Sequence, residues 1–383
     1  MHYHKQEKFQ PFAGGGKLLL GLLGLFGVVA LYRLAAGLGA STNLNDTYPW
    51  GLWIAMDVMV GVALAAGGFT IAAAVYVFNL KKYKPVARPA ILTAYFGYLM
   101  VSVGILLDIG KPHVLWHGLV MWQPHSVMFE VIMCVVMYLT VLTFEFAPFL
   151  LEGIGRKELA KKLHGPAILF PLVIFGITLS FFHQSSLGAM FLIVPTKLSH
   201  LWWTTVLPYN FYLSCIAAGL AMVSFEGYLA ARIFKHEAEL DIMQGLAKGT
   251  AIALLAYLAM RLGDLAVKGN LALAFDGSTA ATLFLIEVVG LAVVPMILLA
   301  LPGIRRSAGR IFAVQLLVVG GVILNRFNVN FLTQGRGGSL YFPSWMEIVI
   351  TVGLIAAIML LYRVAVIRLP IFSQAGRIGR EDR

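Results

Sequence analysis

The hydrophobic positions of this chain fall in long unbroken runs rather than in amphipathic stripes. Runs of spanning length cover 17–39, 50–80, 88–110, 125–150, 163–187, 207–234, 247–268, 279–301, 309–333 and 344–367. A bilayer core needs roughly 20 consecutive apolar residues per helix, so the pattern predicts ten membrane-spanning helices. No succession of short segments with period-2 alternation occurs, which argues against a membrane β-barrel. The expected fold class is therefore all-α: a polytopic membrane helical bundle of about ten transmembrane helices. The expected organisation is a polar N-terminal segment 1–16, one integral membrane domain 17–367 and a basic tail 368–383. The polar N-terminus and the length of the first run show no evident cleavable signal.

The basic residues set the orientation. The N-terminal segment, the even-numbered connections and the tail hold 22 of the 29 Lys and Arg. They include Lys81, Lys82, Lys84 and Arg88, then Arg156, Lys157, Lys161 and Lys162. The odd-numbered connections hold four: Lys111, Lys197, Lys268 and Arg336. Arg33, Arg261 and Arg326 fall inside spans. This asymmetry predicts that both termini are cytoplasmic. It also turns the net charge of +11 into a signal for orientation and anionic lipid rather than for nucleic acid. All seven tryptophans lie at or near the opposite ends of the spans, as an outer aromatic belt or as a surface for a partner subunit or a flat lipophilic ring.

Composition agrees: 60% of the residues are hydrophobic and 12% charged, about half the charge of a soluble domain. Cys134 and Cys215 lie within apolar runs, and two thiols cannot hold a four-thiolate cluster. Candidate chemistry rests on ionisable groups inside the lipid zone, each costing at least ~2.5–3.5 kcal/mol at the bilayer centre. Such groups must be paired, neutral or facing the bundle interior. Asp57, Asp108, Glu130 and His183 lie toward the outer face, with Tyr98 near mid-span and Glu145 and Glu226 deeper. Arg261 and Asp264, at i and i+3, are expected to neutralise each other. Arg326 is expected to tie to Glu287 or Glu347, and Asp108 is either an interfacial cap or part of the chemistry. Glu130, His183 and Glu226 have no such cation on their own helices and are the first functional candidates. His183 is the one clear intramembrane histidine, which speaks against a b haem held by two axial imidazoles. His113 and His117, at i and i+4, lack a third ligand, so no metal site is expected. A polar pocket near the outer face suits a quinone-reactive enzyme subunit or a transporter. The similarity of Tyr48-Pro49-Trp50 to Tyr341-Phe342-Pro343 is a weak sign of a repeat.

Specific strings narrow this choice. Pro49-Trp50-Gly51-Leu52-Trp53-Ile54-Ala55-Met56-Asp57, Arg88-Pro89-Ala90, Phe96-Gly97-Tyr98, Phe129-Glu130, Glu145-Phe146-Ala147-Pro148, His183-Gln184-Ser185-Ser186-Leu187-Gly188, Phe225-Glu226-Gly227 and Tyr341-Phe342-Pro343-Ser344-Trp345 occur in order. Together they resemble the NrfD/polysulfide-reductase membrane-subunit family, and within it the HybB-type membrane subunits of hydrogenase-2-like uptake NiFe-hydrogenases. The resemblance implies a haem-free quinone-reactive anchor in the bacterial inner membrane, without an Fe–S cluster of its own. It implies quinone as bound substrate, with menaquinone the first candidate. The implied partners are a periplasmic ferredoxin-like Fe–S subunit and the hydrogenase large and small subunits. Another respiratory reductase of the family, or a stand-alone transporter, is the alternative. By position, Glu130, Glu226, Tyr98, Arg88 and His183 match residues of the family; with the outer depth of Asp57, the expected quinone contacts are Asp57, Glu130, His183, Trp53 and Arg88. Glu130, His183, Glu226, Tyr98 and Glu145 are the expected proton-handling residues. A reporter fused after Arg383 is expected to read as cytoplasmic, and an external reading overturns the topology.

Overall fold

A computed structural model describes residues 14–233, 238–332, 341–369 and 371. Most of the 1–16 segment, Lys235, His236, Arg336 and nearly all of the basic tail lie outside these residues. Every regular element among the described residues is helical, and ten helices are long and apolar enough to span a membrane. They are α1 (Gly15–Ala36), α2 (Trp53–Val77), α3 (Lys81–Asp108), α4 (Val127–Gly153), α5 (Ala167–Ile193), α6 (Leu207–Ile233), α7 (Leu240–Val267), α8 (Thr279–Ala300), α9 (Ala308–Leu332) and α10 (Trp345–Arg368).

Serine caps start α4, α8 and α10. Ser126 accepts from the Phe129 N–H, and Ser278 accepts from the Ala281 N–H at 3.0 Å. Ser344 and Glu347 form a reciprocal capping box. Each oxygen satisfies an N–H that the first helical turn leaves open.

The centre of the bundle is α2, with 72% of its most apolar window buried, against 17% for α1. Small residues make this possible. A Cβ on Gly67 would lie 3.0 Å from the Gly219 carbonyl oxygen of α6. One on Gly68 would lie 3.3 Å from the Ala90 carbonyl of α3. Backbone contact of this kind drives helix association in lipid, where apolar side chains gain nothing by leaving it. By contrast, α1 packs chiefly against α10.

The two ends of the bundle differ as the charge pattern predicts. Gly15 lies beside the Arg363 guanidinium, Gly153 beside Leu369, and Gly245 beside Tyr83 and Lys82. These contacts gather the basic ends of α1, α3, α4, α7 and α10 into one rim. At the other rim, the Lys197 ammonium donates to the carbonyls of Asp46 and Thr47 at 3.2 and 3.0 Å. The Leu52 N–H donates to the Tyr341 hydroxyl at 2.9 Å, and Asn330 donates to the Gly51 carbonyl at 2.7 Å. The two Tyr/Pro/Trp strings that read as a possible repeat thus interlock, with the Tyr48 and Tyr341 rings 6.0 Å apart. The tryptophans are not a uniform belt. Trp116, Trp122 and Trp345 are exposed, whereas Trp53 and Trp202 are fully buried and donate to the Glu347 carbonyl (3.1 Å) and the Glu287 carboxylate (2.8 Å).

The buried ions of the second half pair differently from the sequence expectation. Arg261 reaches across to Glu287 at 3.1 Å, leaving Asp264 to Lys268 (2.9 Å) and the Thr204 hydroxyl (2.6 Å). Lipid-zone burial explains the choice. Arg261 is 3% exposed and needs a carboxylate at its own depth, while Asp264, a turn further out, meets the Lys268 ammonium at the rim. Glu287 also accepts from Asn325 and Asn328, each at 2.7 Å. Arg326 joins it only through the Asn325 amide; its guanidinium donates to Asn325 Oδ1 and to Ser214 Oγ (2.9 Å), and it sits 3.8 Å from the Phe211 ring centroid. Glu347 caps its own helix instead of pairing with an arginine, and it also accepts from the Tyr341 hydroxyl and the Asn43 N–H. Removing one member of a buried pair strands the other charge, at about 3–5 kcal/mol. Thermal unfolding in detergent is expected to show a loss of that size for Glu287→Ala. A Glu287→Met/Arg261→Met double variant should recover most of it, and equal loss in both would refute the pairing.

Candidate functional site

The sequence-predicted residues occupy three levels. At the tryptophan rim, Asp57 and Trp53 lie on a π-helical stretch of α2 (Trp53–Val60), a backbone form often found at functional sites. Both turn toward α10. Asp57 Oδ2 accepts from the Thr351 hydroxyl at 2.9 Å, and the Trp53 indole donates to the Glu347 carbonyl. Asp108, at the end of α3, lies near the Arg33 guanidinium, which donates to the Leu107 and Ile109 carbonyls at 2.7 Å each. Arg33 thereby ties α1 to the C-terminal end of α3, where carbonyls lack helical partners. Glu130 stands in the first turn of α4, half-buried. Its carboxylate takes no hydrogen bond or ion pair among the described residues.

The middle level is built from α2–α5. His183 is ten residues from the end of α5, and Tyr98 ten from the end of α3, so the two share a depth. The structure groups His183 with Tyr98, not with Asp57. Their ring centroids are 5.6 Å apart, and Tyr98 meets the edge of Tyr138 on α4 at 4.5 Å. All three are fully buried. Both His183 nitrogens, the Tyr98 hydroxyl, Ser185 Oγ and Gln184 Oε1 have no hydrogen-bond partner among the described residues. An unsatisfied buried polar group costs about 1–3 kcal/mol, so such a cluster calls for internal water or a ligand carrying polar atoms. Gln184 is held by its other end. The backbone of α2 tightens at Ala66, whose N–H turns to the Ala63 carbonyl at 3.3 Å, and Gln184 Nε2 donates to the Val62 carbonyl at 3.0 Å.

Two helical turns nearer the basic rim, Glu145 follows Tyr138 at i+7 on α4, and Gly176 precedes His183 by the same spacing on α5. A Cβ on Gly176 would lie 3.6 Å from the Tyr138 ring and 3.8 Å from Glu145 Oε1. The missing side chain lets ring and carboxylate share that face. Glu226 stands elsewhere, on α6, where Thr93 of α3 donates to it at 2.8 Å and Tyr362 of α10 faces it.

Arg88 does not share a site with the outer residues. It lies 20 residues before the end of α3, roughly 30 Å at 1.5 Å per residue, and forms an ion pair with Glu152 at 3.2 Å. Its guanidinium sits 5.0 Å from the Phe149 ring centroid. Beside it is His164, whose ring lies 6.4 Å from that of Tyr76. Sequence reasoning also left Tyr138, Gln184, Thr93 and Gly176 unassigned. The equal i, i+7 spacing of Tyr138/Glu145 and Gly176/His183 was the available signal.

The profile described as Polysulphide reductase, NrfD, matches residues 40–335. The chain belongs to the NrfD family. Over 372 residues it is 38% identical to a protein of Nitratidesulfovibrio vulgaris, covering 94% of this chain and 95% of the relative. It is 32% identical to the probable Ni/Fe-hydrogenase 2 b-type cytochrome subunit of Escherichia coli K12, over 93% of this chain and 94% of the relative. It is 27% identical to the menaquinone reductase integral membrane subunit of N. vulgaris, over 93% and 91%. The chain is thus a multi-pass inner-membrane protein of the NrfD family.

The phrase "b-type cytochrome" in one relative's name raises a donor question. Two imidazoles facing each other from adjacent spans would hold a b haem. Among the described residues His183 is the one histidine within a span, and it packs against Tyr98; His113, His117, His125, His164 and His200 lie between spans. This donor set does not fit a bis-histidine haem.

His164 lies outside the spans and is held below its ordinary pKa of 6.5, first by burial and then by the nearby Arg88 and Lys84 charges, with Glu152 opposing. A depressed histidine keeps its full contribution to stability above pH 6.5 and loses it as pH falls toward the lowered value. Thermal unfolding of the wild type is expected to weaken on acidification below pH 6.5. His164→Gln should flatten that slope, and an unchanged slope refutes the assignment.

Proposed function

We propose that this NrfD-family chain is the haem-free membrane anchor of a respiratory uptake NiFe-hydrogenase. In this reading it passes electrons from a periplasmic ferredoxin-like Fe–S subunit to a membrane quinone, with menaquinone as the first candidate. The observation that carries the proposal is the unpaired His183–Tyr98 cluster within α2–α5, beneath the Asp57 and Trp53 level at the tryptophan rim. The full-length similarity to a hydrogenase subunit and to a menaquinone reductase subunit supports it.

Quinone reduction consumes two electrons and two protons. The redox metals belong to the partners, so this chain's task is to bind the ring and deliver protons. Both His183 nitrogens are without a hydrogen-bond partner among the described residues, which leaves them open to the polar atoms of a substrate and to general acid–base work. Tyr98, in ring contact with it, adds a hydroxyl. Asp57 and Glu130 lie above this pair, toward the side from which electrons would arrive. Arg88, at the opposite rim, is reassigned from quinone contact to a structural ion pair with Glu152. Proton supply from the basic, cytoplasmic side through Glu145 and Glu226 would make turnover electrogenic. Each charge moved against 100 mV costs about 2.3 kcal/mol, a cost the potential difference between H2 and quinone would meet.

The similarity to a menaquinone reductase subunit favours one second reading, an anchor for another respiratory reductase with the same quinone chemistry. Copurification separates the two readings by whether a hydrogenase or a different catalytic subunit comes with the chain. In the assembled complex, His183→Ala and Tyr98→Phe are expected to lower H2:quinone turnover about 10²-fold or more, the usual scale of a lost acid–base group. H2 oxidation with a soluble dye should stay intact. Unchanged quinone turnover in assembled variants would remove the cluster from the reaction.

A further inference from the structure

Between α3 and α4 the chain exposes Trp116, Leu119, Val120, Met121 and Trp122 in close succession. Residues 112–129 contain no Asp, Glu, Lys or Arg. A connection standing in water gains nothing from such a face, and contiguous exposed apolar surface marks an interaction site. Either a partner subunit or the bilayer could cover it, and three observations favour the bilayer.

The first is depth. The helical turn His117–Val120 does not stand above the rim. A Cβ on Gly118 would lie 3.3 Å from Ile132 Cγ2. Ile132 lies inside α4, which starts at Val127, and five residues of helix place it roughly 7.5 Å below that start. The connection therefore folds back down along α4, to the depth at which interfacial segments bury their apolar face, about 5–10 Å.

The second is direction. The Trp122 and Phe129 rings are 6.3 Å apart between centroids. Phe129 shares a face of α4 with Val136, Thr140, Thr143 and Phe144, at i+7, i+11, i+14 and i+15, and these four are exposed. In a spanning helix that is the face turned to lipid. Val131, Val135 and Tyr138, on the opposite face, are buried in the core.

The third is hydrogen bonding, since backbone polar groups near lipid must be satisfied within the chain. The N–H groups of Val114, Leu115, Gly118, Leu119 and Met121 donate to carbonyls one turn earlier at 2.8–3.2 Å. The Trp122 indole donates to the Leu119 carbonyl at 2.9 Å, so that donor is not held out to a protein partner.

We propose that residues 112–126 form an interfacial element seated in the leaflet on the tryptophan side, with phospholipid as the occupant of its apolar face. Leu119, Val120 and Met121 lie among the upper acyl chains. Trp116 and Trp122 sit at the headgroup level, where amphipathic indoles are favoured. The exposed His113 and His125 face the headgroup water.

The test is spin-label accessibility in the full chain, reconstituted in phospholipid nanodiscs with a nitroxide on Val120→Cys. The native Cys134 and Cys215 are buried, and the unsubstituted chain checks that they stay unlabelled. Val136→Cys is the lipid-facing reference, and Asp276→Cys, exposed between α7 and α8, is the aqueous one. The Val120 label is expected to relax with oxygen and to be shielded from a water-soluble nickel chelate, as at Val136, with the reverse at Asp276. The shielding should be the same with copurified partner subunits and after they are stripped. Chelate access at Val120, or shielding that disappears with the partners, overturns the proposal. Should the labelled variant fail to assemble, quenching of tryptophan fluorescence by brominated phospholipid gives the same reading. The quenched fraction should fall in Trp116→Phe/Trp122→Phe, and an unchanged fraction overturns the placement.

Discussion

A charge inside a lipid-embedded bundle has no water to fall back on, and that constraint organises this protein. Several ionisable side chains at membrane depth are met by a partner at their own level. Arg261 takes Glu287, Asp57 takes Thr351, Arg33 takes two carbonyls at a helix end, and Glu347 caps its own helix. Against that background the unpaired His183 nitrogens are conspicuous. Around them the Tyr98 hydroxyl, Ser185 Oγ and Gln184 Oε1 are likewise without a hydrogen-bond partner among the described residues, a concentration of polar atoms at one depth that a substrate could meet.

Close helix contact gives the cluster its shape. Glycines on α2 and α6 let those backbones touch, drawing α2 to the centre and placing Val62 within reach of Gln184. The histidine beside that glutamine therefore faces inward, at the depth of Tyr98. The same economy of side chains at Gly176 keeps Tyr138 and Glu145 on one continuous face. Small residues thus serve both helix association and the placement of polar groups.

The second half of the chain solves a different problem with similar residue types. Its arginines, glutamate and asparagines form a network around Glu287, joined by Trp202. The Arg261–Glu287 ion pair and the amide contacts of Glu287 tie α7, α8 and α9 together. In the first half the His183–Tyr98 cluster keeps its polar atoms available, and the proposed chemistry is placed there.

Much of this was legible in the sequence. Ten apolar runs gave ten spans because spanning length is imposed by bilayer thickness, and the Lys/Arg asymmetry separated the two rims because it is a property of connections rather than of packing. The residue strings gave the family. Partnership was a different matter. Arg261 has an acid three residues away, yet pairs with one on another helix, because burial depth outranks sequence distance. Arg88, expected beside a quinone, forms an ion pair with Glu152 at the basic rim. Glu145 and Glu226 looked alike until rotation about two different helices set one on the face of Tyr138 and the other against Thr93. Span number and the identity of the buried groups were fixed by composition along the chain. Which groups meet and which stand open was decided by helix rotation and close approach, which no single stretch of sequence encodes.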